Sequence, residues 1–209
     1  MHYINKLTVI HNELSLYVPD PEWIKSTYEK LLANNAATHF PYWAKIWASS
    51  RALATFLRNE PKWIKDKSVL EIGAGIGLPT FNIAQQAATI IVSDYEPEAV
   101  ALLEQNIQHV GLLNVKAMCI DWNQFPEDIH AEIVLLSDIN YAPDQFEGLL
   151  QLIQQLFDKR TTIIIATPRR ISATLFVEKL QPFIKHTCLQ KVEEDANQFT
   201  EIDILILHT

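Results

Sequence analysis

The chain has little glycine, little cysteine and no long apolar run. Its 209 residues hold five glycines, two cysteines and two methionines. Cys119 and Cys188 lie far apart, both in strand-like stretches. They read as structural thiols in a reducing compartment, which excludes a disulfide-dense scaffold. No stretch approaches the ~20 apolar residues of a membrane span. Met1–Lys6 leads into no apolar run of the signal-peptide kind. No membrane partner is therefore expected, and a cytoplasmic location is. Basic residues are outnumbered: 17 Lys and Arg face 25 Asp and Glu, for a net charge of −8. A strongly anionic surface repels phosphate backbones and excludes nucleic acid as a bulk partner. Arg169-Arg170 is the one obvious basic patch, read either as steering an acidic protein surface or as a solvated loop. The seven histidines form no pair at H-x-x-x-H spacing, so no metal is expected. There is no G-x-S-x-G nucleophile elbow either.

What is present is an ordinary globular composition, 48% hydrophobic and 20% charged, in a length that suits one domain with a small N-terminal extension. Residues 6–10 and 14–18 are β-prone runs joined by His11-Asn12-Glu13 and read as a hairpin. Asp20-Pro21 offers an N-cap and a first-turn proline for a helix to about residue 32. A second helix is expected from about Lys45, on the spacing of Ile46, Leu53, Phe56 and Leu57. Beyond Ser68 strands and helices alternate. The strands are residues 69–72, 89–93, 115–120, 133–136 and 161–166; the helices are 78–86, 97–110 and 145–157. The last of these helices shows a capping-box spacing, Asp144 with Glu147. Such alternation predicts a parallel sheet covered on both faces, which accounts for strands that are apolar throughout. A helix over 172–180 and strands over 185–192 and 202–208 complete the chain. The polar stretch 193–200 is too short for a parallel crossover, so a hairpin connects the last two strands and the final one runs antiparallel.

Three of the five glycines stand together in LEIGAGIGLP, residues 70–79. The run follows a strand and opens a helix, which places it at the carboxyl end of the first central strand, where open α/β sheets bind ligands. Glycine lets a backbone approach a ligand, and the helix start offers free N–H groups. A dinucleotide loop reads G-x-G-x-x-G; here Leu78 fills the place of the third glycine. A phosphate loop needs Gly-Lys-Ser/Thr, which is missing. The pattern is Glu71-x-Gly73-x-Gly75-x-Gly77, and a carboxylate ahead of the loop suits a cationic ligand better than a pyrophosphate.

This pattern resembles class I methyltransferases that use S-adenosyl-L-methionine. The resemblance covers the chain from about Phe40 onwards. It implies an α/β fold: a Rossmann-like seven-stranded, mostly parallel sheet with helices on both faces and an antiparallel last strand. Residues 1–44 would then be a hairpin-and-helix extension and residues 45–209 the methyltransferase domain. By the same resemblance Asp94, ending the second strand, binds the ribose hydroxyls with its two acceptor oxygens, and it also suits a helix cap before Pro97. Tyr95 neighbours the adenosine. Asp121 caps the adenine amino group, and Trp122 either walls the adenine or packs at the rim.

Two further stretches narrow the likeness. PYWAKIWASS (residues 41–50) and SDINY (residues 137–141) are similar to methyltransferase family 16, the protein lysine methyltransferases, which carry a tryptophan before the first strand and D-x-x-Y after the fourth. Asp138 and Tyr141 match that motif as the catalytic pair, Ser137 beside them joins the cofactor-binding residues, and Trp47 matches the upstream tryptophan against the cofactor. For Tyr141 packing under the next helix is the other reading. The branch acting on the electron transfer flavoprotein β-subunit has D-P-x-R after the fifth strand; here Thr167-Pro168-Arg169-Arg170 departs from it at the first position. The resemblance thus implies a protein substrate, that subunit being the candidate. The Asn/Asp-Pro-Pro-Tyr/Phe signature of enzymes that methylate nucleic-acid amino groups or glutamine is absent. A small-molecule N-methyltransferase and a non-catalytic module that binds the cofactor stay open as alternatives.

Overall fold

The computed structural model describes residues 5–10, 14–34, 40–140, 142–195 and 198–208. Strands β1 (Asn5–Ile10) and β2 (Leu14–Pro19) pair antiparallel as a two-stranded sheet of their own. Their connector, His11-Asn12-Glu13, lies outside the described residues. Helix α1 (Pro21–Asn34) starts where the Asp20 carboxylate accepts the N–H groups of Glu22 and Trp23 at 2.9 and 3.1 Å.

The other strands form one sheet: β3 (Ser68–Ile72), β4 (Thr89–Asp94), β5 (Val115–Cys119), β6 (Ile133–Ser137), β7 (Thr162–Pro168), β8 (Ile184–Asp195) and β9 (Gln198–Leu207). Its order is β5-β4-β3-β6-β7-β9-β8. The five strands β3 to β7 run parallel, and β9 lies antiparallel between β7 and β8. This is the mostly parallel seven-stranded sheet with an antiparallel last strand that the sequence predicts. The chain winds outward from β3 to β5 and returns to β6, so the order reverses between β3 and β6. A crevice at the carboxyl ends of those two strands is the ligand position such a reversal creates.

Helices α2 (Ala48–Asn59), α3 (Leu78–Ile83) and α4 (Pro97–Val110) cover one face; α5 (Phe146–Asp158) and α6 (Ile171–Leu180) cover the other. Val69, Leu135, Ile164 and Ile204 pack into the first core, while Leu70, Leu136, Ile165 and Leu205 pack into the second. Both side-chain rows of the central strands β3, β6 and β7 are therefore buried, and no polar alternation survives in them. The β1–β2 hairpin joins the first core through Leu16, fully buried, and through Asn106 of α4, whose amide exchanges hydrogen bonds with the backbone of Tyr17 at 2.7 and 3.0 Å.

Four local expectations fail. The helix expected from Lys45 begins at Ala48. Tyr42–Ala44 is a 3-10 turn, Lys45 is extended, and Trp47 takes the N-cap place in β conformation with its carbonyl holding the Arg51 N–H and the Ser50 hydroxyl. The helix expected over 78–86 stops at Ile83, where Asn114 binds the freed carbonyls of Ala84 and Ala87. The Asp144–Glu147 capping box does not form, because Pro143 starts a 3-10 turn that takes Asp144 inside it and α5 begins uncapped. Finally, within the polar stretch 193–200 the described residues are strand, not connector: β8 reaches Asp195 and β9 starts at Gln198. Glu193 and Phe199 are exposed there, so polarity reports a hairpin end in solvent. No helix among the described residues is long and apolar enough to cross a membrane.

Candidate active site

The loop Gly73–Gly77 leaves β3 and enters α3 with all three glycines at positive φ: +66°, +55° and +78°. Conformation alone restricts these positions, and at all three so does space, Gly77 against Leu103 Cδ2 at 2.6 Å. A Cβ on Gly75 would lie 2.8 Å from the Trp43 carbonyl oxygen. The 3-10 turn Tyr42–Ala44 is thus laid directly over the loop. A Cβ on Gly73 would lie 3.1 Å from Ile139 Cγ2 and 3.6 Å from Trp122 Cζ3. The ends of β5 and β6 converge on that glycine.

Carboxylates hold the loop from behind. Asp94, at the end of β4, accepts the Gly75 N–H on Oδ2 at 2.8 Å and the Glu96 N–H on Oδ1 at 3.0 Å. It is 7% exposed, and burial raises its pKa against the lowering pull of those amides. Glu71 is completely buried on the α3 side of β3. Its Oε2 accepts the Thr80 N–H at 3.0 Å and the Thr80 hydroxyl at 2.5 Å, which sets a carboxylate at the α3 N-terminus. Burial pushes its pKa up to about 7 despite the Thr80 bonds. Asp121 turns onto its own turn, its Oδ1 accepting the backbone and side-chain N–H groups of Asn123 at 2.9 and 3.1 Å. The Asn123 Oδ1 in turn occupies the space a Cβ on Gly148 would need, which locks this turn to α5. Tyr95 stands 60% exposed at the rim.

The wall built by β6 and β7 is different in kind. Asp138 follows β6 at φ +56°, its N–H bonded to the Ala166 carbonyl at 3.0 Å, and it forms an ion pair with Arg170. Asn140 and Thr167 are buried and bonded to each other at 2.9 and 3.1 Å, so the threonine that departs from D-P-x-R serves as a neutral partner for the asparagine of SDINY. Arg169 is an exposed loop residue whose guanidinium is engaged, binding Asp203 bidentately at 2.8 and 2.9 Å. Tyr141 lies outside the described residues. Trp47 donates its indole N–H to the Tyr42 carbonyl at 2.9 Å, under the Lys45 ammonium 4.5 Å from its ring centre. The tryptophan whose backbone touches the glycine loop is Trp43, which the sequence reading passed over although it sits in the same PYWAKIW. Sequence reading also missed Thr80, Asn123 and Ile139, and singled out Arg170 without its partner. None carries a motif of its own: Thr80 meets Glu71 nine residues back and Asn123 meets Asp121 two back, while Ile139 and Arg170 meet Gly73 and Asp138 across the sheet. A groove of about 850 Å³ between α5 and α6, lined by Phe146, Leu150, Ile171 and Leu175 among others, involves none of the glycine-loop residues.

These residues fit S-adenosyl-L-methionine. Three buried polar atoms at these strand ends have no partner among the described residues: Glu71 Oε1, Trp122 Nε1 and Ser137 Oγ. Trp122 Nε1 and Ser137 Oγ offer a donor and an acceptor to a polar ligand, while the fully buried Glu71, together with Asp94, makes the surroundings acidic, which suits a cationic ligand better than a pyrophosphate. The described residues hold no cluster of three metal-ligating side chains.

Known proteins point the same way. Residues 28–183 match the family model described as lysine methyltransferase, methyltransferase family 16. The mouse histone-arginine methyltransferase METTL23 is 29% identical over 131 residues, 60% of this chain and 52% of that protein. The human electron transfer flavoprotein beta subunit lysine methyltransferase is 26% identical over 164 residues, 77% of this chain and 62% of that protein. The chain thus spans about half the length of the first and three-fifths of the second. Among solved structures, the N-methyltransferase NodS of Bradyrhizobium japonicum with S-adenosyl-L-homocysteine superposes with a TM-score of 0.62 over 87% of this chain and 98% of that one, at 15% identity, a likeness of fold. With its family model covering most of the sheet and the glycine loop at the sheet's point of reversal, the chain belongs to the lysine methyltransferase family.

Proposed function

We propose that this chain transfers a methyl group from S-adenosyl-L-methionine to a lysine side chain of a protein. The observation that carries the reading is the meeting of two walls at Gly73. The donor loop touches Ile139, the residue after Asp138, within 3.1 Å of a would-be Cβ. An acidic side chain thus stands one residue from the donor loop.

When bound, the cofactor supplies a methyl group on a cationic sulfonium. The chain's part is alignment and exclusion of water. Asp94 presents two acceptor oxygens to vicinal ribose hydroxyls. Gly73 and Gly75 let backbone approach the ligand, with Tyr95 at the rim, while Asp121, Trp122 and Ser137 line the adenine side. Trp43 and Trp47 hold the upstream turn over the loop. Glu71 acts through its charge and through α3. A lysine amine has a free pKa near 10.4, and only its neutral form attacks carbon. Asp138 accepts a hydrogen bond from that amine and orients it, with Tyr141 as its companion in D-x-x-Y. The electron transfer flavoprotein β-subunit is the first candidate acceptor, supported by the relatives named for it. Arginine is a second acceptor, supported by the relative named as a histone-arginine methyltransferase. We place the enzyme in the cytoplasm, consistent with two free thiols. We take residues 1–44 as an extension of the catalytic domain 45–209, since β1 and β2 stand outside the main sheet.

The test is incubation of the purified protein with methyl-labelled cofactor and, in parallel, this subunit, calmodulin, histones and an extract. Label is expected in a protein band, and in methyl-lysine after hydrolysis. Label in methyl-arginine selects the second acceptor; label confined to small molecules sinks a protein substrate altogether.

A further inference from the structure

Asp138 has a partner that the proposed reaction has not used. Its backbone occupies the left-handed region at φ +56°, which residues other than glycine rarely adopt, and the Ala166 carbonyl holds it there. Oδ1 meets Nη2 of Arg170, and neither buried atom has another partner among the described residues. The Asp138 side chain keeps 13% exposure, none of it on that oxygen, and the Arg170 side chain 33%. Arg170 is no free surface cation. It is the N-cap residue of α6, its carbonyl accepting the Ala173 N–H at 3.1 Å, and its side chain turns back onto β6 while Arg169 turns to Asp203.

We propose that Arg170 is a positioning residue for the methyl acceptor: it pins Asp138 by Oδ1 and compensates its charge, so that Asp138 orients an acceptor amine without holding it protonated. This rests on the reading of Asp138 given above. A lone carboxylate beside an amine favours the ammonium form, which has no electron pair to attack with. A carboxylate already met by a fixed guanidinium still accepts a hydrogen bond but pulls less on the proton. Several charged groups lie on the surrounding elements, among them Glu178 of α6, which lines a groove with Arg170 and Asp203. Glu71 on β3 is buried against Thr80; Asp203 and Glu201 on β9 are taken up by Arg169; Asp144 and Glu147 open α5. Arg170 is the cation in contact with Asp138.

The experiment compares Arg170→Gln, Arg170→Lys and Asp138→Asn with the wild type on the acceptor that labels, beginning with electron transfer flavoprotein β-subunit, from about pH 6.5 to about pH 10. Without Arg170 the acceptor's pKa in the complex rises, so the acid limb of kcat moves to higher pH. Arg170→Gln is expected to lose roughly tenfold in kcat near neutrality and to regain it as pH rises, with no increase in KM for the acceptor. Arg170→Lys keeps the charge and is expected within about threefold of wild type. A pH-independent loss, equal defects in the two Arg170 variants, or an unimpaired Arg170→Gln beside an impaired Asp138→Asn overturns this inference alone. An unimpaired Asp138→Asn, or a wild type that labels no acceptor, overturns the reading beneath it as well. Should Arg170→Gln fail to fold in a thermal melt, Arg170→Lys decides: activity within threefold supports the proposal, and a tenfold pH-independent loss sinks it.

Discussion

The two halves of the crevice are built from different materials. At the ends of β3 and β4 the work is done by backbone: glycines at positive φ, a carbonyl over Gly75, and amides that fall on Asp94 and Glu71. At the ends of β6 and β7 it is done by side chains that answer one another, Asp138 with Arg170 and Asn140 with Thr167. Backbone geometry tolerates few residue types, so the first half has a strict pattern. Side-chain pairs are exchangeable, so the second half can change its acceptor while the donor half stays fixed.

Variants on the two sides should therefore separate donor binding from methyl transfer. The largest effect belongs to Gly75→Ala. The new Cβ meets the Trp43 backbone oxygen at 2.8 Å and pays left-handed strain at φ +55°, so turn and loop must part. Cofactor affinity in a calorimetric titration should fall roughly 100-fold or more, about 2.7 kcal/mol. Binding within a fewfold of wild type would mean that the turn does not seat the loop. Asp94→Ala comes next. It removes the acceptor for two buried or half-buried N–H groups as well as for the ligand, and should weaken the cofactor by about 10- to 100-fold. Asp138→Asn should leave that affinity within about twofold while lowering kcat by about tenfold or more, the size of a lost proton-handling contact. If it weakens the cofactor as much as Asp94→Ala does, the two walls are not separable.

The contrast also explains what was legible. The strands, their direction and the glycine loop were readable because each rests on a local rule: apolar runs between turn signals, and an acid ahead of spaced glycines. Asp94 and Asp138 could be placed because each ends a strand. Their partners could not. Thr80 and Arg170 matter only through contacts that the fold brings together, and Trp43 and Trp47 are indistinguishable in PYWAKIW until one is seen to lie over Gly75. The hairpin end at Glu193 and Phe199 was read as a connector for a related reason: with both faces in solvent it carries no apolar alternation, yet β8 and β9 remain paired through it.

Glu71 gives the smallest effect and the sharpest test of the donor half, since its claim is about charge rather than contact. Burial pushes its carboxyl up to about 7 in the folded chain from the ordinary 4.5. The folded state therefore binds the proton more tightly than the unfolded state does. Stability from this group is fully present below about pH 4.5 and is lost as pH rises through about 7, after which it changes no further. Glu71→Gln keeps an acceptor for Thr80 and removes the titration. Urea unfolding of both proteins at several pH values isolates the group, because every other titration cancels in the difference. The wild type should lose ground to Glu71→Gln steadily between about pH 4.5 and about pH 7 and hold a constant gap above. A difference flat in pH would mean that water reaches Glu71 and that the donor half is less dry than its packing implies; a difference of the opposite slope would mean that the carboxylate is held ionised by the α3 N-terminus, and that the helix dipole outweighs burial at this strand end.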